Sequence, residues 1–400
     1  MHPVIIIGAG LAGYTLAREF RKLDKNTPLT ILTVDAGGFY SKPMLSNAFA
    51  QNKAAHQLVT QTAQQMATQL SATVVTEIEV TGIDTAQQIV HTPRGDFPFD
   101  KLVLAVGAQP IRLPIAGDAA SAVLAVNHVE HYATFRDLIG LPEHGPATRI
   151  AILGAGLIGC EFADDLTSAG HKVTLIDPNL LPLGALAAPL LSRGLQAALA
   201  QRGVEMRLGT TAVSIDRVGA ASRVTMADGA VIEVDLVLSA VGLRPDCRLA
   251  LAAGLDTNRG IVVDHFGKTS VPSIFALGDC AEYTAAETGA RQIMPYIAPL
   301  MSAARAIART LAGQPTEIDL KPSPVMVKTP SFPLALVPPP VAATAGGEWV
   351  DEVTDLRTIS RFYDANGILV GFGVAPQDAG SRQQLLAALG SPRSALTIAT

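Results

Sequence analysis

Two short glycine-rich stretches hold the residues whose spacing could do chemistry. Gly8-Ala9-Gly10-Leu11-Ala12-Gly13 and Gly154-Ala155-Gly156-Leu157-Ile158-Gly159 share the pattern G-x-G-x-x-G. Where such a turn opens a helix, unpaired backbone N–H groups and the positive end of the helix dipole favour an anion. The glycines let the backbone approach it closely. The chemistry on offer is the binding of a diphosphate. Each turn is followed, roughly 20 positions on, by an acid: Asp35 and Asp177. A carboxylate there accepts hydrogen bonds from ribose hydroxyls and repels a 2′-phosphate. Pro178-Asn179-Leu180-Leu181 offers no Arg or Lys to grip such a phosphate, so NADH is favoured over NADPH. The competing reading is a pair of tight packing turns without ligand, and it leaves the recurring acid unexplained. Three cysteines (Cys160, Cys247, Cys280) have no C-x-x-C spacing, and the eight histidines form no ligand pattern, so no metal is expected.

The elements around these turns repeat. Val4 to Ile7 is an apolar strand leading into the first turn, with a helical pattern to about Leu23 and a strand from Leu29 to Val34 ending in Asp35. Arg149 to Leu153, a helix to about Ser168 and the strand Lys172 to Ile176 repeat that grammar around the second turn. Each is a βαβ unit. Asp100 to Pro110 (DKLVLAVGAQP) and Asp235 to Pro245 (DLVLSAVGLRP) read as buried strands, each followed by a glycine turn (Gly107, Gly242) and a proline that ends pairing. Thr269 to Asp279 is one more strand, ending in Gly278-Asp279. Pro299 and Gly313 bracket a helix from Leu300 to Ala312. From about Pro315 the pattern changes. Strands at Val325 to Lys328, Leu334 to Val337, Leu356 to Phe362 and Ile368 to Val374, with a helix at Gln383 to Leu389, make a small α+β domain with an irregular tail after Ser391.

The fold class expected is therefore α/β: two doubly wound, Rossmann-like domains plus a smaller C-terminal α+β domain. Residues 1–112 with 240–314 form the first, 113–239 the second and 315–400 the third. The 400 residues suit several domains. A hydrophobic share of 48% with only 5% aromatics matches buried parallel strands and their covering helices. A net charge of -5 gives no reason to expect nucleic acid or an anionic membrane as partner. No signal peptide or membrane span is evident, which with the scattered cysteines predicts a cytoplasmic protein. A monomer or weak dimer is expected.

The order of parts resembles the two-dinucleotide-fold flavoprotein reductases, in which the first fingerprint binds FAD and the second binds NAD(P)H. Narrower stretches resemble the rubredoxin–NAD+ reductases: AGYTLAREFRK from Ala12, YSKPMLSN from Tyr40, GAGLIGCEF from Gly154, NRGIV from Asn258 and VMVKTP from Val325. The resemblance covers most of the chain and implies roles. FAD would be held by Gly8, Gly10, Leu11, Ala12, Gly13, Asp35, Lys42, Pro43, Val80, Gly107, Glu161, Asp279, Ile297 and Lys328. Within that set, Val80 would end a strand and hold the adenine, and Ile297 would sit just before the helix. Lys42 and Lys328 would be cations beside the flavin. NADH would be held by Gly154, Gly156, Leu157, Ile158, Gly159, Glu161, Asp177 and Gly242.

Four of these roles have rivals: Glu161 could serve the helix dipole, Lys42 could be a solvated loop lysine, Lys328 a surface lysine on a strand, and Gly278-Asp279 a mere turn. Asn47 stands where many related ferredoxin reductases carry a lysine able to pair with the glutamate, so that pair is not expected. Tyr40 to Phe49 lacks the redox cysteines of the disulfide reductases, so no thiol relay or side-chain acid–base catalyst is expected. The implied activity is NADH-driven reduction, through FAD, of rubredoxin, feeding an alkane hydroxylase or oxygen-detoxifying enzyme. Lys42, Lys328 and Arg361 would supply the basic docking surface. Alternatives are a ferredoxin reductase, an NADH oxidase, or a flavoprotein whose redox-driven conformational change is itself a signal.

Overall fold

Four consecutive β-branched residues, Val4–Ile7, have no polar face to turn outward, and all four are buried. They form the centre of a five-stranded sheet in the order Ile274–Ala276, Lys101–Leu104, Val4–Ile7, Leu29–Leu32, Thr73–Val75. Every pairing is parallel, with Val4 opposite both Leu29 and Lys101. Parallel strands need a helical crossover and bury both faces, which accounts for the unbroken apolar runs. A second parallel sheet has the order Glu205–Leu208, Lys172–Asp177, Arg149–Leu153, Leu236–Ser239. The expected α/β class with two doubly wound sheets is what the chain forms.

This computed structural model describes residues 3–140, 147–284 and 289–393; the expected irregular tail beyond residue 393 lies outside them. By contacts the chain divides into two compact units. One comprises Met1–Lys42, His56–Ile111 and Leu243–Lys321; the other comprises Pro43–Ala55, Arg112–Gly242 and Pro322–Thr400. The C-terminal sheet is antiparallel, in the order Val325–Val327, Leu334–Val337, Leu369–Ala375, Thr358–Tyr363, Glu348–Val353. On one face Ala335, Val337, Phe372 and Val374 pack with Leu385 of the helix Ala379–Ala388. On the other, Leu191 of the helix Pro189–Gln201 presses on Gly373.

Several expectations need correcting. The strand Leu29–Leu32 ends before Val34, which is exposed, so Asp35 lies beyond it. The segments before Pro110 and Pro245 add an unexpected antiparallel ribbon, Ala108–Pro110 with Leu243–Pro245, Leu243 opposite Pro110, and each proline is the last residue of its strand. Each strand of a two-stranded ribbon is an edge, where a missing N–H is tolerated. The strand Thr269 to Asp279 shrinks to Ile274–Ala276. The strand Glu348–Val353 was not expected, because its charged, largely exposed residues carry no alternating apolar signal. The helix begins at Ile297 rather than Leu300 and runs to Leu311.

Candidate functional site

Within the first unit the glycine turn has the build that its sequence implies. Gly10 is the N-cap of the helix Leu11–Leu23; no side chain caps it, and the first turn carries no acid. A Cβ on Gly13 would collide with the Gly8 carbonyl, so only glycine lets the helix sit this close to the strand. A Cβ on Gly10 would meet nothing within 4 Å, which leaves the mouth of the turn open. Gly278 comes in from the other side, where a Cβ would stand 2.9 Å from the Ala12 Cβ. Its N–H donates to the buried Tyr283 hydroxyl at 2.9 Å. Asp279 is thereby delivered beside the turn, and its carboxylate lies 3.7 Å from Lys42 Nζ. Burial pulls the Lys42 ammonium below its ordinary value, while Asp279 opposes that shift.

The helix Ile297–Leu311 contacts the same Gly278–Cys280 turn. Its N-cap, Tyr296, supplies no side-chain bond, so the N–H groups of its first turn, beginning at Ile297, have no side-chain acceptor at the cap. Gly10, Asp279 and this second helix start thus converge in one unit. Gly107 has φ +71° and open space around a Cβ. Asp35 accepts from Thr33 Oγ1 at 2.7 Å and from the Gly37 N–H at 2.9 Å, which fixes its orientation. Val80 is not at a strand end. The neighbouring strands are Thr73–Val75 and Gly82–Asp84, and Val80 lies between them, packed on the core.

In the second unit Gly156 is the uncapped N-cap of the helix Leu157–Ser168. A Cβ on Gly159 would collide with the Gly154 carbonyl, and one on Gly156 would meet nothing. Asp177, 7% exposed, accepts the Ala155 N–H on Oδ2 at 2.6 Å, so it also fastens the turn. Its Oδ1 takes the Asn179 N–H at 2.7 Å and side-chain amide at 2.8 Å. One acceptor position on Oδ2 is left for a ligand hydroxyl. Gly242, φ +108°, closes this unit's central segment.

The same helix carries three buried carboxylates at i, i+3 and i+4: Glu161, Asp164 and Asp165. Each ties down a distant segment. Glu161 accepts Ser46 Oγ at 2.5 Å and the Lys328 N–H at 3.0 Å, and it pairs with the Lys328 ammonium. Asp164 accepts the Ser331 N–H at 3.0 Å and faces Arg202 Nε at 3.4 Å. Asp165 accepts the Phe49 and Ala50 N–H groups at 2.8 and 3.1 Å. Burial, with Asp164 and Glu161 nearby, pushes the Asp165 carboxyl up to about 6, although its backbone hydrogen bonds oppose that.

A Lys–Glu pair therefore exists, against expectation, with its lysine supplied by Lys328. Asn47 instead donates to the Lys328 carbonyl at 2.8 Å. Pro43 belongs to this unit, its carbonyl accepting Ser46 Oγ at 3.4 Å. Sequence reasoning missed Ser46, Asp164 and Asp165. The available signal was E-x-x-D-D on one face of an otherwise apolar helix.

The basic residues expected to offer free positive charge are all ion-paired: Lys42 with Asp279, Lys328 with Glu161, and Arg361 with Glu352 at 2.8 Å. Cys160 and Cys280 are buried, their thiols directed at carbonyls, and burial raises both, Cys280 to about 12. They are packing residues. Among the described residues no cluster could hold a metal ion, and no helix is long and apolar enough to cross a membrane.

Comparison with known proteins gives a concordant picture. The pyridine nucleotide-disulphide oxidoreductase family model matches residues 2–306, and the rubredoxin binding C-terminal domain model matches residues 317–389. A rubredoxin-NAD(+) reductase of Alcanivorax borkumensis is 41% identical over 96% of this chain and 98% of its own. A nitric oxide reductase FlRd-NAD(+) reductase of Aeromonas hydrophila is 38% identical over 93% and 92%. Among solved structures, putidaredoxin reductase in covalent complex with putidaredoxin superposes with a TM-score of 0.86 at 24% identity, covering 98% and 95%. The water-forming NADH oxidase of Lactobacillus brevis, bound to NADH, gives 0.87 at 19% identity, covering 98% and 92%. At those identities the two structures speak for the fold alone.

Proposed function

The chain belongs to the pyridine nucleotide-disulphide oxidoreductase family, among its rubredoxin-NAD(+) reductases, and from that premise we propose that it carries electrons from NADH through FAD to rubredoxin. The observation that carries this reading is the pair of glycine turns of one build, each on its own parallel sheet, in a chain with a rubredoxin-binding C-terminal domain. Bound FAD supplies the electronic chemistry, accepting two electrons as hydride and releasing them singly.

The residues of the first unit fit FAD. The open turn at Gly8, Gly10, Leu11, Ala12 and Gly13 would take the diphosphate, and Asp35 a ribose. Asp279 and Lys42 offer an acceptor and a donor side by side for the ribityl chain and the ring. The N-terminus at Ile297 would favour negative charge on the ring's pyrimidine edge. Val80 and Gly107 would contribute backbone. The second unit fits NADH: the turn from Gly154 to Gly159 for its diphosphate and Asp177 for its ribose, with Gly242 alongside. Pro43, Glu161 and Lys328, which the resemblance assigns to the flavin, belong to the second unit, where Glu161 and Lys328 act as one hydrogen-bonded group with Ser46 rather than as separate charges. No side chain is needed as acid or base. Buried Cys160 and Cys280 leave direct transfer to a one-electron carrier as the exit route.

Downstream, reduced rubredoxin would feed an alkane hydroxylase or a related oxygen-using enzyme, with the cytoplasm as the proposed compartment. Anaerobic stopped-flow mixing tests the reading: NADH should bleach the yellow protein, and rubredoxin should reoxidise it faster than ferredoxin or dioxygen does. Faster reoxidation by ferredoxin or dioxygen, or protein that retains no flavin, overturns it.

A further inference from the structure

We propose that Phe49 is a positioning residue for the reaction: its ring seats the segment Pro43–Ala55 so that Ser46 and Asn47 meet Glu161 and Lys328. The role rests on the reading that assigns Glu161 and Lys328 to the flavin. The segment belongs to the second unit, although Lys42 before it and His56 after it belong to the first. Residues 43–55, all of them described, contain no strand; their regular structure is the short 3-10 helix Lys42–Asn47 and the start of the helix Ala55–Leu58. With no ladder of backbone bonds to fix it, the segment lies where side chains hold it.

A buried phenylalanine is ordinarily core and nothing more. Phe49, 1% exposed, differs in what converges on it. Tyr132, Phe135 and His171 make T-shaped contacts with its ring, their centroids 5.8, 5.7 and 5.8 Å away. The Arg136 guanidinium stands 5.3 Å from the same centroid. Tyr132 and Arg136, both on the helix Val129–Ile139, also donate to the Lys53 carbonyl at 2.8 and 3.0 Å. Asp165 takes the N–H groups of Phe49 and Ala50, one on each oxygen. Ring and backbone are thus gripped together at this one point of the segment. Two and three residues upstream, the polar side chains do their part. Asn47 donates to the Lys328 carbonyl at 2.8 Å, and Ser46 Oγ donates to Glu161 Oε2 at 2.5 Å. Residue 328 is therefore held on both sides, its N–H by Glu161 and its carbonyl by Asn47. Unseating the ring releases one of these holds and the Ser46 bond together. A shift of about 1 Å near a reacting centre can cost roughly a hundredfold in rate, so such a seat matters to turnover.

The test uses the FAD-loaded full chain and its Phe49→Leu and Phe49→Ala variants. Hydrogen exchange is followed at the residue-49 and residue-328 amides, with the flavin absorption spectrum, ADP-ribose binding and NADH turnover. Phe49→Leu keeps apolar bulk but loses the ring contacts, and should ease opening at both amides by roughly tenfold. Phe49→Ala should ease it by roughly a hundredfold or more; should that variant not fold, the leucine variant carries the test alone. The flavin spectrum should shift and kcat should fall by roughly tenfold, with KM for NADH and ADP-ribose binding unchanged. Exchange at residue 328 that does not respond, whatever residue 49 does, overturns the positioning role and leaves Phe49 as packing. Faster exchange at both amides with an unchanged spectrum and kcat overturns the assignment of Glu161 and Lys328 to the flavin, and the role in the reaction with it. Weakened ADP-ribose binding in Phe49→Leu shows general damage to the unit and also overturns the proposal.

Discussion

Replacing Lys328 by Met tests whether the contact among Glu161, Lys328 and Ser46 is an electrostatic clamp or a packing accident. The Glu161 side chain is 3% exposed and that of Lys328 is 30% exposed. Methionine keeps the stem and removes only the ammonium, leaving Glu161 with two of its three donors, Ser46 Oγ and the residue-328 N–H. Breaking a buried pair costs about 3–5 kcal/mol; the partial exposure of Lys328 argues for about 2–3 kcal/mol, or roughly 30- to 150-fold easier local opening. Hydrogen exchange of the residue-328 amide, which donates to Glu161 Oε1, reads that opening directly. Global melting is a poorer probe, because a chain with two units need not unfold in one step. Glu161→Gln removes the charge that needs the ammonium, so combining it with Lys328→Met should recover about 1–2 kcal/mol relative to the sum of the single changes. Exchange at residue 328 that does not respond to Lys328→Met, or strictly additive variants, would refute the clamp.

Two further outcomes are expected. Asp165, 5% exposed, has its carboxyl raised by burial to about 6, so between pH 4 and 6 the native state holds a proton that the unfolded chain has released. Stability from this group is therefore present in acid and falls as pH rises through that window, by about 3 kcal/mol for the shift cited. Asp165→Asn should flatten this part of the pH dependence of urea midpoints; an unchanged profile would count against the assignment. Alkylation by iodoacetamide under native conditions should leave rubredoxin reduction intact, because Cys160 and Cys280 are buried with raised thiols. Inactivation of the Cys247→Ser variant by the same treatment would show one of the two buried thiols to be accessible.

The sequence by itself determined whatever is local. A G-x-G-x-x-G turn after an apolar strand carries its own reason to be glycine, and both turns formed where their residues stand, with Gly13 and Gly159 at the close approach. The fold class followed from the same repetition. Boundaries were less legible. The helix at Ile297 begins before its proline marker, and the strand Glu348–Val353 has no apolar rhythm, because an edge position asks for none. Tertiary structure alone decided the partners of the buried charges. Ser46 and Lys328 reach Glu161 from 115 and 167 residues away, and the pair expected to be missing for want of a lysine at position 47 is supplied across that distance. A carboxylate taken out of water requires donors but does not specify where in the chain they come from. Composition and spacing therefore reveal the need, and only the folded chain shows which residue meets it.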